Sequence, residues 1–291
     1  MQWLLVVLTK QFVMLFACVD LDRMAGLDNF CWPDSVESEK TPDGRYKLAQ
    51  LVRANRALDD VCRAYQLPCI SGKDSMKNDV IINGEKISVP PTLLFTLLGN
   101  HEDIRKAVSS DFKNSGDIIY LLGQTHQELG ASELVTMFRD ECGGGIGGKV
   151  PAIDTTRKLA LYRDLTAAMR QELVISAHDC SDGGFAVALA EACFGADSGC
   201  SVDISEVFND NNSLDKWGAL FGESLGRILV SVKDEHSSEF EAVMASNACF
   251  RLGEVVSGDE ITISKSGETI LQASMSELKQ SCQATLDGGG A

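Results

Sequence analysis

The chain has 291 residues and a mass of 31.4 kDa, enough for one or two hydrophobic cores. Hydrophobic residues make up 44% and charged residues 23%, which excludes a chain disordered throughout. With 26 Lys+Arg against 42 Asp+Glu the formal net charge is −16, and the one basic cluster at helical spacing is Arg53, Arg56 and Arg63, so no nucleic-acid partner is expected.

Met1 to Cys18 is apolar but broken by Lys10 and Gln11. The pieces are too short for a membrane span, and the only basic residue lies inside the run rather than before it, unlike a secretory signal. A core helix or strand is expected there, and no membrane association. Residues 19–45 read as loop, with Trp32-Pro33-Asp34 and Thr41-Pro42-Asp43-Gly44 as turn signals. Residues 46–66 read as an amphipathic helix carrying Leu48, Leu51, Val52, Leu58, Val61, Cys62 and Tyr65 on one side, ended by Leu67-Pro68. A short strand from Cys69 runs into a polar turn, and strand signals at 79–82 and 86–98 flank the hairpin pair Asn83-Gly84.

After the turn at 114–117, Ile118 to Leu122 reads as a buried strand, and 128–150 is rich in glycine. Asp154 to Leu173 reads as a helix with an acidic N-cap, 174–177 as a strand, 185–194 as a tightly packing helix, 225–232 as a strand and 260–275 as β segments. Strands alternating with helices predict an α/β or α+β fold with a boundary between residues 100 and 115. The ten cysteines form no C-x-x-C pair, so neither a zinc ribbon nor a thioredoxin motif is supported. Free thiols in a reducing, cytoplasmic setting are expected.

Four segments carry candidate chemistry. Gly143 to Lys149 (GGGIGGK) has most of a P-loop, but Val150 stands where the Mg²⁺-binding hydroxyl belongs and Pro151 follows where a helix must start, so a linker is favoured. In Ser71 to Asp79 (SGKDSMKND), Gly72 permits close backbone approach, Lys73 or Lys77 suits phosphate, Asp74 or Asp79 suits Mg²⁺, and Ser75 can donate to phosphate or sugar; a polar hairpin loop is the alternative. His178 to Gly184 (HDCSDGG) places two carboxylates at a strand end, with glycines whose N–H groups can meet phosphate; an acidic helix cap is the alternative, and His178 reads as structural. Gly26 to Asp34 (GLDNFCWPD) sets Asp28 and Asp34 beside Phe30 and Trp32.

DNFCWPD (28–34), SEKTPDGRYKLAQLVRA (38–54), CISGKDSMKND (69–79), KISVPPTLL (86–94), HDCSDGG (178–184) and LFGESLGRILVSV (220–232) together resemble the second half of the synthetase region of phosphoribosylformylglycinamidine synthase, in the aminoimidazole ribonucleotide synthetase-like superfamily. The resemblance implies a two-lobe α/β (α+β) architecture with mixed sheets covered by helices. It puts an N-terminal lobe, truncated at its start, at 1–112, a C-terminal lobe at 113–277 and a tail at 278–291. It also implies a cytoplasmic, ATP-dependent ligase of purine biosynthesis, in which ATP phosphorylates the formamide oxygen of formylglycinamide ribonucleotide and ammonia displaces the phosphate.

By the same resemblance Asp28, Gly72, Lys73, Ser75 and Ser181 contact nucleotide or substrate, and Asp179 and Asp74 hold Mg²⁺, with ATP or ADP as the nucleotide. Lys73 stands where shorter relatives carry an Asn metal ligand, which implies a phosphate contact there. Asp179 and Ser181 match an auxiliary nucleotide site of the large enzymes. The implied partners are a first synthetase half and a glutaminase, in a homodimer or pseudo-dimer. The Glu-x-x-x-Asn helix expected before Asp22 and the glutaminase expected after residue 285 are not in this sequence, and Ala131 replaces a glycine of the expected ELGGS turn. A non-catalytic Mg-nucleotide-binding and dimerisation module, or another ATP-using enzyme of the superfamily, are the competing readings.

Overall fold

A computed structural model of the chain describes residues 19, 23–141, 144–145, 148–195 and 198–284. The apolar N-terminal run and Gly143, Ile146 and Gly147 of the GGGIGGK segment lie outside them. The chain divides into two compact units, Met1–Glu102 and Asp103–Ala291.

The first unit is built on a three-stranded sheet, β2-β1-β5. Strand β1 (Met24–Cys31) lies at its centre, parallel to β2 (Cys69–Ser75) and antiparallel to β5 (Thr92–Gly99). Residues 24–31 were expected as loop, because glycine, aspartate and asparagine are poor strand formers. Two flanking strands override that preference, and Gly26 fits because the Phe95 ring occupies the space a Cβ would take, 2.4 Å away. Strands β3 (Asp79–Ile82) and β4 (Glu85–Ser88) form the expected hairpin, with Asn83 and Gly84 at φ 55° and 85°. Pro90 and Pro91 then separate β4 from β5.

Helix α1 (Gly44–Ala64) buries Ala54, Ala57, Leu58 and Val61, while Leu48 and Val52 are exposed. The buried stripe is thus confined to its C-terminal half. At its start, the Trp32 indole N–H donates to the Lys47 carbonyl at 3.0 Å. At its end, the Cys62 and Cys69 sulfurs lie 3.6 Å apart as free thiols.

The second unit carries a seven-stranded sheet in the order β12-β11-β8-β10-β6-β9-β7. Its strands are β6 (Ile118–Leu122), β7 (Val174–Asp179), β8 (Gly199–Asp203), β9 (Ile228–Val232), β10 (Cys249–Val256), β11 (Glu260–Lys265) and β12 (Glu268–Ser274). The β8–β11 pair is parallel and the others are antiparallel. Every residue of β6 and β9 is buried. Both faces are covered, which is why these strands read as continuous apolar runs rather than alternating ones.

Ile119 and Leu121 pack in one core with Phe185 and Leu189 of helix α4 (Gly184–Phe194). On the opposite face Tyr120 meets Phe240, ring centroids 5.0 Å apart. Phe240 belongs to helix α7 (Ser237–Met244), which packs on helix α3 (Thr155–Arg170). Three shorter helices, α2 (Glu133–Met137), α5 (Ser205–Asp210) and α6 (Lys216–Phe221), lie between the larger elements. Helix α8 (Met275–Ala284) runs into residues read from sequence as tail, and Leu278 packs against the core. No described helix is long and apolar enough to cross a membrane.

Candidate functional site

The candidate residues of the first unit sit on two neighbouring strands. In the parallel β1–β2 register Asp28 faces Gly72, Asn29 Lys73, Phe30 Asp74 and Cys31 Ser75. A Cβ at Gly72 would lie 2.8 Å from Asp28 Oδ1, so glycine leaves room for that carboxylate. Ser71 to Ser75, expected as a turn, are strand; the turn follows at Lys77, whose φ is 60°. Alternation along a strand then divides the set. Asp28, Gly72 and Asp74 share one face, and Lys73 and Ser75 share the other, where Lys73 Nζ donates to Ser75 Oγ at 2.8 Å.

Asp34 and Asp79, also candidates by composition, are committed elsewhere. Lys86 Nζ lies 3.3 Å from Asp79 Oδ2 and 3.6 Å from Asp34 Oδ2, and the Asp34 amide donates to Asp79 at 2.9 Å. Burial pushes the Asp79 carboxyl up, but hydrogen bonds from Ser88, the Asp34 amide and Lys86, with the Lys86 charge, outweigh it and hold the pKa below the usual value. This cluster pins the start of β3 through Asp79 Oδ2, while the buried Asp79 Oδ1 has no hydrogen-bond partner among the described residues.

In the second unit β7 delivers Asp179 at its last position, 8% exposed. Ser181 Oγ donates to Asp179 Oδ2. His178 lies with Nδ1 3.5 Å from Asp179 Oδ1, too long for a hydrogen bond, and Nε2 2.8 Å from Glu191 Oε2. Burial works against a charged imidazole, but the two carboxylates prevail and raise the His178 pKa to about 9. The Asp179 pKa is lowered: burial opposes this, and His178 and Ser181 overcome it. The structural reading of His178 fits this geometry.

The glycine pair does something other than expected. Gly183 and Gly184 both adopt left-handed backbone, φ 77° and 71°. Their N–H groups are not open to a phosphate: Gly183 donates to Glu223 Oε1 at 3.1 Å and Gly184 to the Ser181 carbonyl at 3.1 Å. Glu223 Oε1 also accepts from the Glu133 amide at 2.8 Å. Beside it, fully buried Arg227 ties down the same loop, bonding Thr125 Oγ1 at 3.1 Å and the carbonyls of Ser224 and Gly222. Burial pulls its pKa below the usual arginine value. Neither Glu223 nor Arg227 was singled out from sequence. The signal was two charges set against the apolar run Ile228 to Val232.

Among the described residues no three His, Cys, Asp or Glu side chains cluster as a metal cage. Asp179 offers one carboxylate in its unit, and Asp74 one in the other, on the same face as Asp28. A single carboxylate fits Mg²⁺ only where phosphate oxygens and water complete the coordination.

A family model described as AIR synthase related protein, C-terminal domain, matches residues 114–266, just over half of the 291-residue chain. The phosphoribosylformylglycinamidine synthase subunit PurL of Thermobifida fusca is 34% identical over 250 residues, 84% of this chain and 30% of the relative. PurL of Alkaliphilus metalliredigens is 34% identical over 246 residues, 84% of this chain and 31% of the relative. The chain therefore spans about a third of the length of these curated relatives. Among solved structures, T. maritima PurL complexed with ATP superposes with a TM-score of 0.66 at 14% identity, covering 95% of this chain and 41% of that one. Hydrogenase maturation protein HypE in complex with ATP gives 0.60 at 16% identity, covering 93% and 78%. At those identities the structural likeness establishes the fold alone, and the sequence matches carry the kinship: the chain belongs to the AIR synthase-related family, as a PurL-like member.

Proposed function

We propose that this chain supplies the second half of the synthetase region of an ATP-dependent formylglycinamide ribonucleotide amidotransferase. The observation that carries this reading is the 34% identity to PurL subunits over 84% of the chain. The strand register supports it by setting Asp28 against Gly72, the pair implied to meet nucleotide. In the reaction the bound nucleotide supplies the phosphoryl group that activates the formamide oxygen. This chain's residues position and neutralise: Lys73 and Ser75 toward phosphate or substrate, Asp28 and Gly72 toward the nucleotide, Asp74 and Asp179 each as one Mg²⁺ ligand, Ser181 beside Asp179.

A partner is part of the proposal. Leu94 and Leu98, on one face of strand β5 opposite Asn29 and Ala25, are each more than half exposed. Apolar sheet surface of this kind suits docking, here to a first synthetase half or a second copy, with a glutaminase as the ammonia source. The free thiols support a cytoplasmic setting.

Calorimetric titration of Mg-ADP into the purified chain tests the nucleotide site. Binding is expected, and Asp179→Ala should remove the part of it that the turn after β7 holds; a well-folded chain that binds no Mg-ADP overturns the site. Adding a first synthetase half, ammonium, ATP and formylglycinamide ribonucleotide tests the activity. In a second reading, a non-catalytic nucleotide-binding module, the first-unit residues hold the nucleotide, since the bonded N–H groups of Gly183 and Gly184 leave the turn after β7 without a phosphate cradle. It requires Mg-ADP binding without turnover in the reconstituted mixture.

A further inference from the structure

The second unit holds a cavity of about 890 Å³, within the size range of sites for small metabolites. Gln124, Glu128, Asp154, Arg157, Lys158 and Asn247 help to line it, and Asp179 and Ser181 do not. Lys158 enters from the first turn of α3 and rests on the backbones of two left-handed glycines. A Cβ at Gly123 would lie 3.1 Å from its Nζ, and one at Gly226 2.8 Å from its Cδ. Glycine at both positions is what admits the amine. Its one hydrogen bond among the described residues is a long contact, 3.4 Å, to the Gly226 carbonyl. Burial and the nearby Arg227 draw its pKa down to about 8, against the pull of Glu128 and Asp154.

Glu128 is 7% exposed. Its Oε1 accepts from the Ala152 amide at 3.0 Å, while its buried Oε2 has no partner among the described residues. Arg157 reaches over the same cavity, with Nη1 3.3 Å from Gln124 Oε1. The cavity therefore presents an ammonium with spare donors, a guanidinium, and a buried carboxylate oxygen with no donor. The buried ammonium and carboxylate are costly left in that state, while the Arg157 guanidinium is mostly exposed. One ligand that carries both an anionic group and hydrogen-bond donors satisfies all three. Two cations suit a phosphate dianion; the Arg157 guanidinium already meets Gln124 through Nη1 and lies with Nε 3.4 Å from Asp154 Oδ2, and its Nη2 remains to bond a phosphate oxygen.

We propose that this cavity binds a small phosphate monoester of sugar-phosphate size, the phosphate held by Lys158 and Arg157 and a hydroxyl or amine of its body donating to Glu128.

Calorimetry on the full chain tests this with ribose 5-phosphate as the probe, and with ribose and inorganic phosphate as separate arms. Saturable binding of ribose 5-phosphate is expected, with ribose silent and inorganic phosphate at least about tenfold weaker. Lys158→Met and Arg157→Gln should each weaken ribose 5-phosphate binding by about tenfold or more. Arg157 is mostly exposed, so its variant keeps the test decisive if the buried Lys158 variant fails to fold. Asp179→Ala should leave this binding intact, which separates it from the nucleotide site proposed above. Folded chain that does not bind ribose 5-phosphate overturns the proposal, as does undiminished binding by Arg157→Gln or equal affinity for inorganic phosphate.

Discussion

Replacing Gly184 with alanine tests how the turn that carries Asp179 and Ser181 is held. Gly184 opens α4 at φ 71°, and an added Cβ would lie 2.5 Å from the Gly222 carbonyl oxygen and 2.9 Å from the Phe221 carbonyl carbon. Both obstacles are backbone atoms, so neither can swing aside. Left-handed backbone alone costs an alanine about 1 kcal/mol. Overlap with packed atoms adds about 1–3 kcal/mol, as in an overfilled core. The expected loss is therefore about 2–4 kcal/mol. Gly116 supplies the control: its φ is 91°, and a Cβ there meets nothing within 4 Å. Gly116→Ala should lose only the backbone part, about 1 kcal/mol. Hydrogen exchange of the amides in β6 and β9, both wholly buried, reports the stability of the second unit by itself. If Gly184→Ala loses no more than Gly116→Ala, the turn is not held against residues 221–222 and the reasoning fails.

The same amides report on Glu223. Glu223→Ala removes the acceptor shared by the Gly183 and Glu133 amides and should cost about 2–4 kcal/mol, while Glu223→Gln, which keeps a carbonyl oxygen, should cost clearly less. For His178 the sign follows from its raised pKa. The stability it contributes is complete below about pH 6.5 and is lost as the pH rises through about 9, by at most about 3.4 kcal/mol; an NMR titration that places this ring below pH 7 contradicts the carboxylate clamp. Gly72→Ala crowds only the mobile end of the Asp28 side chain. Stability should fall by less than about 1 kcal/mol, while Mg-ADP affinity drops about tenfold; in an Asp28→Ala background the second substitution should add nothing to that drop.

Much of the second unit is legible in the sequence because its strands are buried on both faces. Ile118 to Leu122 and Ile228 to Val232 announce themselves as unbroken apolar runs, and FAVALAEACF as a helix without a polar face. Strand β8 (GCSVD) and strand β10 (CFRLGEVV) are not legible: glycine and charge interrupt them, and only pairing with neighbours makes them strands. Strand β1 fails for the same reason, although it is the centre of its sheet. The candidate residues were found as a set by resemblance, but their arrangement was not. Small and charged residues from Ser71 to Ser75 read as a turn, and nothing local reveals that β1 supplies a parallel partner along that whole stretch. Likewise the two glycines at the start of α4 look like a phosphate cradle until Glu223, forty residues on, claims the Gly183 N–H.

That strand geometry constrains how a nucleotide could be gripped. Five implied contacts fall on two faces, Asp28, Gly72 and Asp74 on one, Lys73 and Ser75 on the other. No ligand lying flat on a single face reaches all of them. Strand β2 is, however, an edge of its sheet among the described strands, exposed along nearly its whole length. A phosphate chain crossing that edge beside Gly72, where no side chain obstructs it, meets Lys73 on one face while the rest of the nucleotide stays near Asp28 on the other. Lys73→Met and Asp28→Asn should then both weaken Mg-ADP, each by about tenfold, and Lys73→Met should weaken adenosine not at all. Titrating ADP and adenosine against the two variants decides the matter. If Lys73→Met leaves ADP affinity unchanged while Asp28→Asn abolishes it, the nucleotide stays on one face of the sheet and the edge-crossing geometry is wrong.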